Sequence, residues 1–251
     1  MPTSARAIRM EPPMWVRGRA RFEDGMVVLD DSEEYSIYDD RGRVFELAGI
    51  RTHDEAVAFA SKHGLLWHGA AADYLREPFS EWLAQAAMMT RLTLLHSLIL
   101  LAVKGDADAI AELRTSYEPV YGEMFELPVD TDADVVHRAS IVLAGLVSEG
   151  LKGTDLGISV GLEWEGGQPG EFRTIAHPPH LLGAIYHELS LLIAQRWQML
   201  ACPECGRTFI PTDARQRYCS PACSNRARYK RFTERQRQRE SAAVDAGTAE
   251  P

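Results

Sequence analysis

All four cysteines of this chain lie in one stretch near its C-terminal end, with the spacing C-x2-C-x13-C-x3-C. Each close pair of thiols can supply two adjacent corners of a tetrahedron, and the loop between the pairs is long enough to turn the chain back. Since no cysteine lies elsewhere in the sequence, disulfides cannot join distant elements, and we expect a compartment that keeps thiols reduced. The spacing therefore predicts one structural zinc ion, held by Cys202, Cys205, Cys219 and Cys223.

The residues around the cysteines predict a small fold of the treble-clef type. Gly206 permits a tight turn after the first pair, and residues 207–211 are typical of a short strand to which residues 217–218 return antiparallel. Ser220 followed by Pro221 predicts a helix start, because the hydroxyl can cap the helix and proline suits its first position. A miniature core is expected from two aromatic side chains, Phe209 and Tyr218.

A basic segment follows the cysteines directly. Its cationic side chains are Arg226, Arg228, Lys230, Arg231, Arg235, Arg237 and Arg239. Residues 202–240 carry ten Lys/Arg and four Asp/Glu, a net charge of +6, whereas the whole chain has −9 and the remainder therefore −15. A basic helix on an acidic protein predicts local binding to the phosphates of nucleic acid. The alternatives are a solvated helix and an arm that neutralises the protein's own acidic face.

The order C-P-x-C-G-R-x-F, then R-Y-C-S-x-x-C-x-N-R and an arginine-rich tail, resembles a known family. It is similar to the CGNR-type zinc finger of bacterial proteins described as stress-induced transcription regulators, with Cys-Ser-Asn-Arg at residues 223–226 where that family has Cys-Gly-Asn-Arg. The resemblance covers about 40 of 251 residues. It implies zinc on the four cysteines and a nucleic-acid surface beside Asn225, Arg226 and Arg228. We expect phosphate contacts to extend to Lys230, Arg231 and Arg235.

The remaining chain has the composition of a folded α+β protein, with 45% hydrophobic and 25% charged residues. We expect a β-rich N-terminal region at 1–70, a mainly helical body with a β-hairpin at 71–200, the zinc finger with its basic helix at 201–240, and a disordered tail at 241–251. The start of the sequence has no apolar signal-peptide core. We therefore expect a cytoplasmic protein without a membrane partner.

Hydrophobic patterns predict the elements of that remainder. The N-terminal sheet is expected to be antiparallel, with strands at residues 15–22, 26–29, 35–38 and 44–47. Thr52 and Glu55 form a capping box for a short helix that ends at Gly64. Further helices are expected at residues 78–104, 106–117, 132–149 and 181–200, and a second hairpin at 156–164 and 172–175. The last helix runs directly into the finger, so it could transmit movement of the body to the basic arm.

Several catalytic patterns occur in the body and carry little weight. The G-x-S-x-G match around Ser159 lies where a strand continues to a hairpin, whereas a nucleophile elbow requires a strand that turns into a helix. His187 and Glu188 begin H-E-x-x-H, but Leu191 takes the place of the second histidine. The other histidines of interest, expected in loops, caps or the core, are His96, His177 and His180.

Three functions remain from different classes. The favoured one is a DNA-binding transcription regulator whose helical body senses a ligand or forms a homo-oligomer. The alternatives are a zinc-stabilised protein-interaction module and an RNase-type enzyme whose active site lies in the body. A treble-clef nuclease site is disfavoured, because no histidine follows His187 to act as a base or metal ligand in the finger.

Overall fold

The computed structural model describes residues 9–10, 15–35, 42–67, 75–116, 131–154, 157–165, 168–213 and 215–247. Helices and small sheets are mixed, and helix predominates, which confirms the α+β class. The chain divides into two compact units, Met1–Gln198 and Met199–Pro251. The elements of the first unit are β1 (Arg9–Met10), β2 (Trp15–Glu23), β3 (Met26–Tyr35), α1 (Arg43–Ala48), α2 (His53–His63), β4 (Arg76–Pro78), α3 (Phe79–Val103), α4 (Ala107–Ser116), α5 (Asp132–Gly153), β5 (Gly157–Glu165), β6 (Gln168–His177) and α6 (Leu181–Ala194).

The predicted N-terminal antiparallel sheet is present, in the order β2-β3-β4. Asp24 and Gly25 join β2 to β3 with φ values of 49° and 77°. Two positive φ values in a two-residue loop match the twist of the flanking strands, so this dipeptide is a strong hairpin signal. The third strand, β4, was not predicted. Its Pro78 pairs with Met26 of β3, a residue distant in the sequence.

The predicted strand at residues 44–47 is wrong, because these residues lie in helix α1. Val44, Leu47 and Ala48 are buried, and their spacing is that of one helical face. In so short a segment, the apolar positions expected for a strand and for a helix largely coincide. The hydrophobic pattern therefore could not distinguish the two. The strand predicted at 35–38 overlaps β3 only at Tyr35, and residues 36–38 lie outside the described residues.

Helix α2 begins and ends as its sequence signals predict. The Thr52 side chain accepts a hydrogen bond from the Glu55 backbone, and the Glu55 side chain accepts one from the Thr52 backbone. Gly64 ends the helix at a φ of +89°. A Cβ at Gly64 would collide with the carbonyl oxygen of Val16 in β2, so glycine also permits this helix to lie close to the sheet.

Helix α3 contributes many side chains to the remaining core, and it contacts α1, α4 and α5. By length and composition α3 is long and apolar enough to cross a membrane, and many of its side chains are buried within this unit. Its fully buried side chains include Trp82, Met89, Leu92 and Leu95. Helices α3, α4 and α5 lie at the predicted places, and α5 continues four residues beyond its predicted end at 149, to Gly153.

The second predicted hairpin is also present, as β5 paired antiparallel with β6. Strand β6 begins at Gln168, within the segment predicted to be the turn. Short strand β1 extends the sheet by pairing with β6 in parallel, through Arg9 and Ile175. This contact between the two ends of the unit has no local sequence signal.

The helix predicted at 181–200 is shorter than expected, because α6 ends at Ala194. The backbone N–H of Trp197 donates to the carbonyl of Leu192, and that of Arg196 donates to Ile193, both at 3.0 Å. This pair of bonds is a Schellman motif, in which Arg196 takes the left-handed conformation with a φ of 54°. Glycine usually occupies that position. With arginine there instead, the sequence has no recognisable signal for the end of the helix. The expectation of one continuous helix into the finger was therefore wrong.

Candidate metal centre

The four cysteines converge on one point in the second unit, with their Sγ atoms all within 4.8 Å of one another. The Sγ of Cys205 lies 3.5 Å from that of Cys219, which lies 3.6 Å from the Sγ of Cys223. Four thiolates around zinc at about 2.3 Å require an edge of about 3.8 Å between sulfurs. The donor set therefore fits one tetrahedral zinc ion, and four thiolates leave no position for a catalytic water.

The first cysteine pair lies in the loop of a hairpin formed by β7 (Leu200–Ala201) and β8 (Thr208–Phe209). The Cys202 N–H donates to the Arg207 carbonyl at 2.9 Å, and the Gly206 N–H donates to the Cys202 carbonyl at 2.8 Å. Gly206 has a φ of +72°, as its predicted tight turn requires.

The antiparallel partner predicted for this strand was wrong. Residues 217–218 are not in a strand; β8 pairs instead with β7, which precedes the first cysteine pair. The short loop through the first pair brings β7 and β8 together, and so local a pairing has a small entropic cost of loop closure.

The second cysteine pair lies at the start of α7 (Pro221–Gly247), as predicted. The Ser220 hydroxyl accepts a hydrogen bond from the Cys223 N–H at 3.2 Å, which confirms the predicted cap. The helix continues to Gly247, into the segment for which the composition predicted disorder. Cys202, Phe209 and Cys223 form a small buried core, against which Leu200, Tyr218 and Cys219 pack.

Electrostatics around the second pair favour a thiolate at Cys223. Hydrogen bonds from the side chains of Ser220 and Arg226 lower the pKa of Cys223 to about 6. Burial, together with the neighbouring thiols, raises the pKa of Cys219 to about 12. So small a volume does not hold several thiolates without a cation, and zinc supplies that charge when it is bound.

Two of the cations expected at a nucleic-acid surface are bonded within the finger. Arg226 donates from Nη2 to the Sγ of Cys223 at 3.2 Å, and Lys230 pairs with Glu204 at 2.8 Å. Glu204 lies between the first two cysteines and only 9% of its side chain is exposed. Arg226 and Lys230 are four residues apart, so they share the side of α7 that meets the metal centre. The interval of three residues from Cys223 to Arg226 is the only sequence signal for this arrangement.

The other expected contact residues lie elsewhere on α7 and are exposed: Asn225, Arg228, Arg231 and Arg235. Arg231 and Arg235 donate from Nε to backbone carbonyls one turn earlier, at 3.2 Å in each case. Such bonds align the guanidinium groups along the helix surface and leave their Nη donors available.

The residues of the catalytic patterns lie in or beside the helices and strands of the first unit. The G-x-S-x-G match lies inside strand β5, without the helix that a nucleophile elbow needs. His180 caps α6 through Nδ1, and Nε2 of His96 lies 3.1 Å from the Trp197 carbonyl oxygen. Glu188 accepts from the Gly42 N–H and the Arg43 guanidinium, while its neighbour His187 is buried. Burial raises the pKa of Glu188 and lowers that of His187.

Comparison with known proteins supports the assignment of the second unit. No characterised protein and no solved structure matches the chain. Residues 199–236 match the family model described as the CGNR zinc finger. That segment contains the hairpin, all four cysteines and the first half of α7. The family match and the geometry of the four sulfurs agree, and the second unit of this chain therefore carries a CGNR zinc finger.

Proposed function

We propose that this protein binds nucleic acid, and that it is a DNA-binding transcription regulator whose zinc finger presents α7 to phosphate groups. The observation that carries the proposal is a row of guanidinium groups on the side of α7 away from the metal centre. Zinc holds the start of α7 against the β7–β8 hairpin and thereby fixes which side is presented. The first unit then senses a ligand or joins two copies of the chain.

The row consists of Arg228, Arg231 and Arg235, at intervals of three and four residues, which place them on one helical face. That face lies roughly opposite Lys230, the residue that pairs with Glu204. No ion pair to a carboxylate involves these three arginines within the part of the chain that the structure describes. Their charge is therefore available to phosphates, to which guanidinium groups can donate two parallel hydrogen bonds.

The charge distribution of the chain supports a local contact. Residues 202–240 have a net charge of +6, whereas the remaining residues have −15. A polyanion is attracted by the finger and α7 and repelled by the rest of the chain. Binding should consequently be sensitive to salt, because each neutralised phosphate releases counterions.

The proposal is tested by measuring affinity for duplex DNA over a series of salt concentrations. The triple variant Arg228→Gln/Arg231→Gln/Arg235→Gln should bind more weakly, and the slope of log K against log salt should fall by about 0.9 for each phosphate that is no longer neutralised. Zinc content should stay unchanged, because none of the three side chains contacts a cysteine in the described finger.

A matched control removes three exposed cations from the first unit, at Arg19, Lys104 and Lys152. This variant has the same net charge as the arginine triple but should keep the wild-type slope. An equal fall of the salt slope in both variants would show that only the overall charge matters. An unchanged slope in the arginine triple variant would exclude phosphate contacts by this face.

A further inference from the structure

Two large aromatic side chains are exposed on α7 between the arginines. Tyr229 is 71% exposed and Phe232 is 53% exposed, more than any other exposed aromatic side chain in the described residues. Neither ring packs on another aromatic ring among those residues. Rings this exposed contribute little to the folded core, and two of them one turn apart form an apolar strip that a ligand can contact.

The rings form a stripe with Asn225, because the three residues are spaced at i, i+4 and i+7. At about 100° per residue, the stripe and the arginine row together occupy a sector about 160° wide, centred opposite Lys230. Phe232 has Arg228 one turn before it and Arg235 one turn after it. The same ligand can therefore meet the guanidinium groups and the rings.

Building on the proposed function, we propose that the Asn225–Tyr229–Phe232 stripe binds unpaired bases, so that α7 prefers single-stranded nucleic acid or an opened duplex. In a closed duplex both faces of each base are covered by neighbours, and exposed rings meet only sugars and phosphates. An unpaired base offers its own ring face, on which an aromatic side chain can stack. Asn225 adds an amide that can pair with a base edge beside the stack.

The spacing of the rings suits neighbouring bases. Tyr229 and Phe232 are separated by about 4.5 Å along the helix axis, and successive bases in a stacked strand by about 3.4 Å. The arginine row beside them follows the backbone of the same strand. A basic surface with interleaved aromatic rings is the arrangement by which proteins bind single strands without sequence readout.

Charge favours this ligand over a second copy of α7. The three arginines of the row, Arg228, Arg231 and Arg235, would face their three counterparts if two such helices met through their rings. A strand of nucleic acid neutralises them instead. An apolar protein partner would leave the arginines beside the rings unpaired, with a cost of desolvation.

The test compares the full-length protein with its Tyr229→Leu/Phe232→Leu variant. Leucine keeps the apolar character and the helix propensity but removes the ring faces. The probes are oligothymidylate, which cannot pair with itself, and a duplex with the same number of phosphates. We expect the wild type to prefer the single strand, and the variant to lose about 5-fold to 150-fold in affinity for it per base unstacked. Duplex affinity and both salt slopes should stay nearly constant.

The matched control is Tyr229→Phe/Phe232→Tyr, which exchanges the rings and should retain the preference. Equal losses on the single strand and the duplex, or no loss on either, would overturn the stacking proposal while leaving phosphate binding intact. Retention of single-strand affinity by the leucine variant would point to an apolar docking patch and overturn it as well. Failure of the wild type to bind either probe would instead refute the proposed function.

Discussion

Arg226 donates a hydrogen bond from Nη2 to the Sγ of Cys223, one of the four sulfurs of the metal centre. Both residues belong to α7, and the contact places the first of the seven cations of this helix against a zinc ligand. A guanidinium group beside a thiolate stabilises its charge and restrains its orientation. Arg226 is therefore a positioning residue of the metal centre.

Replacing Arg226 by glutamine should weaken zinc retention. Removal of a side chain that hydrogen-bonds to a metal ligand reduces metal affinity by about 10-fold to 100-fold. The measurement is competition for zinc against a chromogenic chelator. Arg228→Gln removes the same charge from the opposite side of α7 and should retain zinc like the wild type. Equal zinc affinity in both variants would show that the hydrogen bond to Cys223 is unimportant.

Replacing Cys205 by serine should remove zinc and unfold the finger while the first unit stays folded. Cys205 is exposed, so serine leaves no cavity, and the effect can be attributed to the missing ligand. Zinc contributes roughly 10 to 16 kcal/mol to such small modules, whose cores cannot fold them alone. Elemental analysis should find about one zinc per wild-type chain and none in the variant. A finger that keeps its amide exchange protection without zinc would contradict a structural role.

Replacing Gly64 by alanine should destabilise the first unit more than the same change at Gly105. Both glycines have positive φ, at +89° and +84°, but only at Gly64 does an added Cβ meet an atom, the carbonyl oxygen of Val16. We expect the free energy of unfolding to fall by about 1 kcal/mol for Gly105→Ala and about 3 kcal/mol for Gly64→Ala. Urea denaturation of the full chain measures both. Equal destabilisation would show that α2 can move away from β2.

The stability of the first unit should fall in acid partly through Glu46. A hydrogen bond with His63, with a further contribution from Lys62, lowers the pKa of Glu46 from 4.5 to about 2. A carboxyl whose pKa is lower in the folded state contributes stability that is complete above pH 4.5 and is lost as the pH falls toward 2. Because this side chain is 41% exposed, screening reduces the contribution to about 1 kcal/mol. Glu46→Gln should therefore reduce the change in the free energy of unfolding between these pH values. An unchanged pH dependence in the variant would contradict the role of Glu46.

Local sequence signals predicted the structural features that are formed by residues close together in the sequence. The four cysteines define a tetrahedral thiolate site because each pair lies within one short turn. Asp24 and Gly25 supply the two positive φ values of a hairpin loop, and Thr52 with Glu55 satisfies the free N–H groups at a helix start. Within each cysteine pair, the hairpin loop and the helix cap, the residues that interact are at most a few positions apart, so their chemistry can be read without knowledge of the fold. The two cysteine pairs meet across a loop of only 13 residues.

Only the tertiary structure decided the contacts between distant residues and the side that each helix presents. Strand β4 joins the first hairpin, and β1 pairs with β6 across most of the unit, although neither contact has a local pattern. The position of Glu204 next to Lys230 divides the cations of α7 into a side bonded to the finger and a side that faces outward. Seven cations spread around a helix give no preferred direction by themselves. The fold of the finger sets it, because it places Glu204 against the side of α7 that also carries the zinc ligand Cys223.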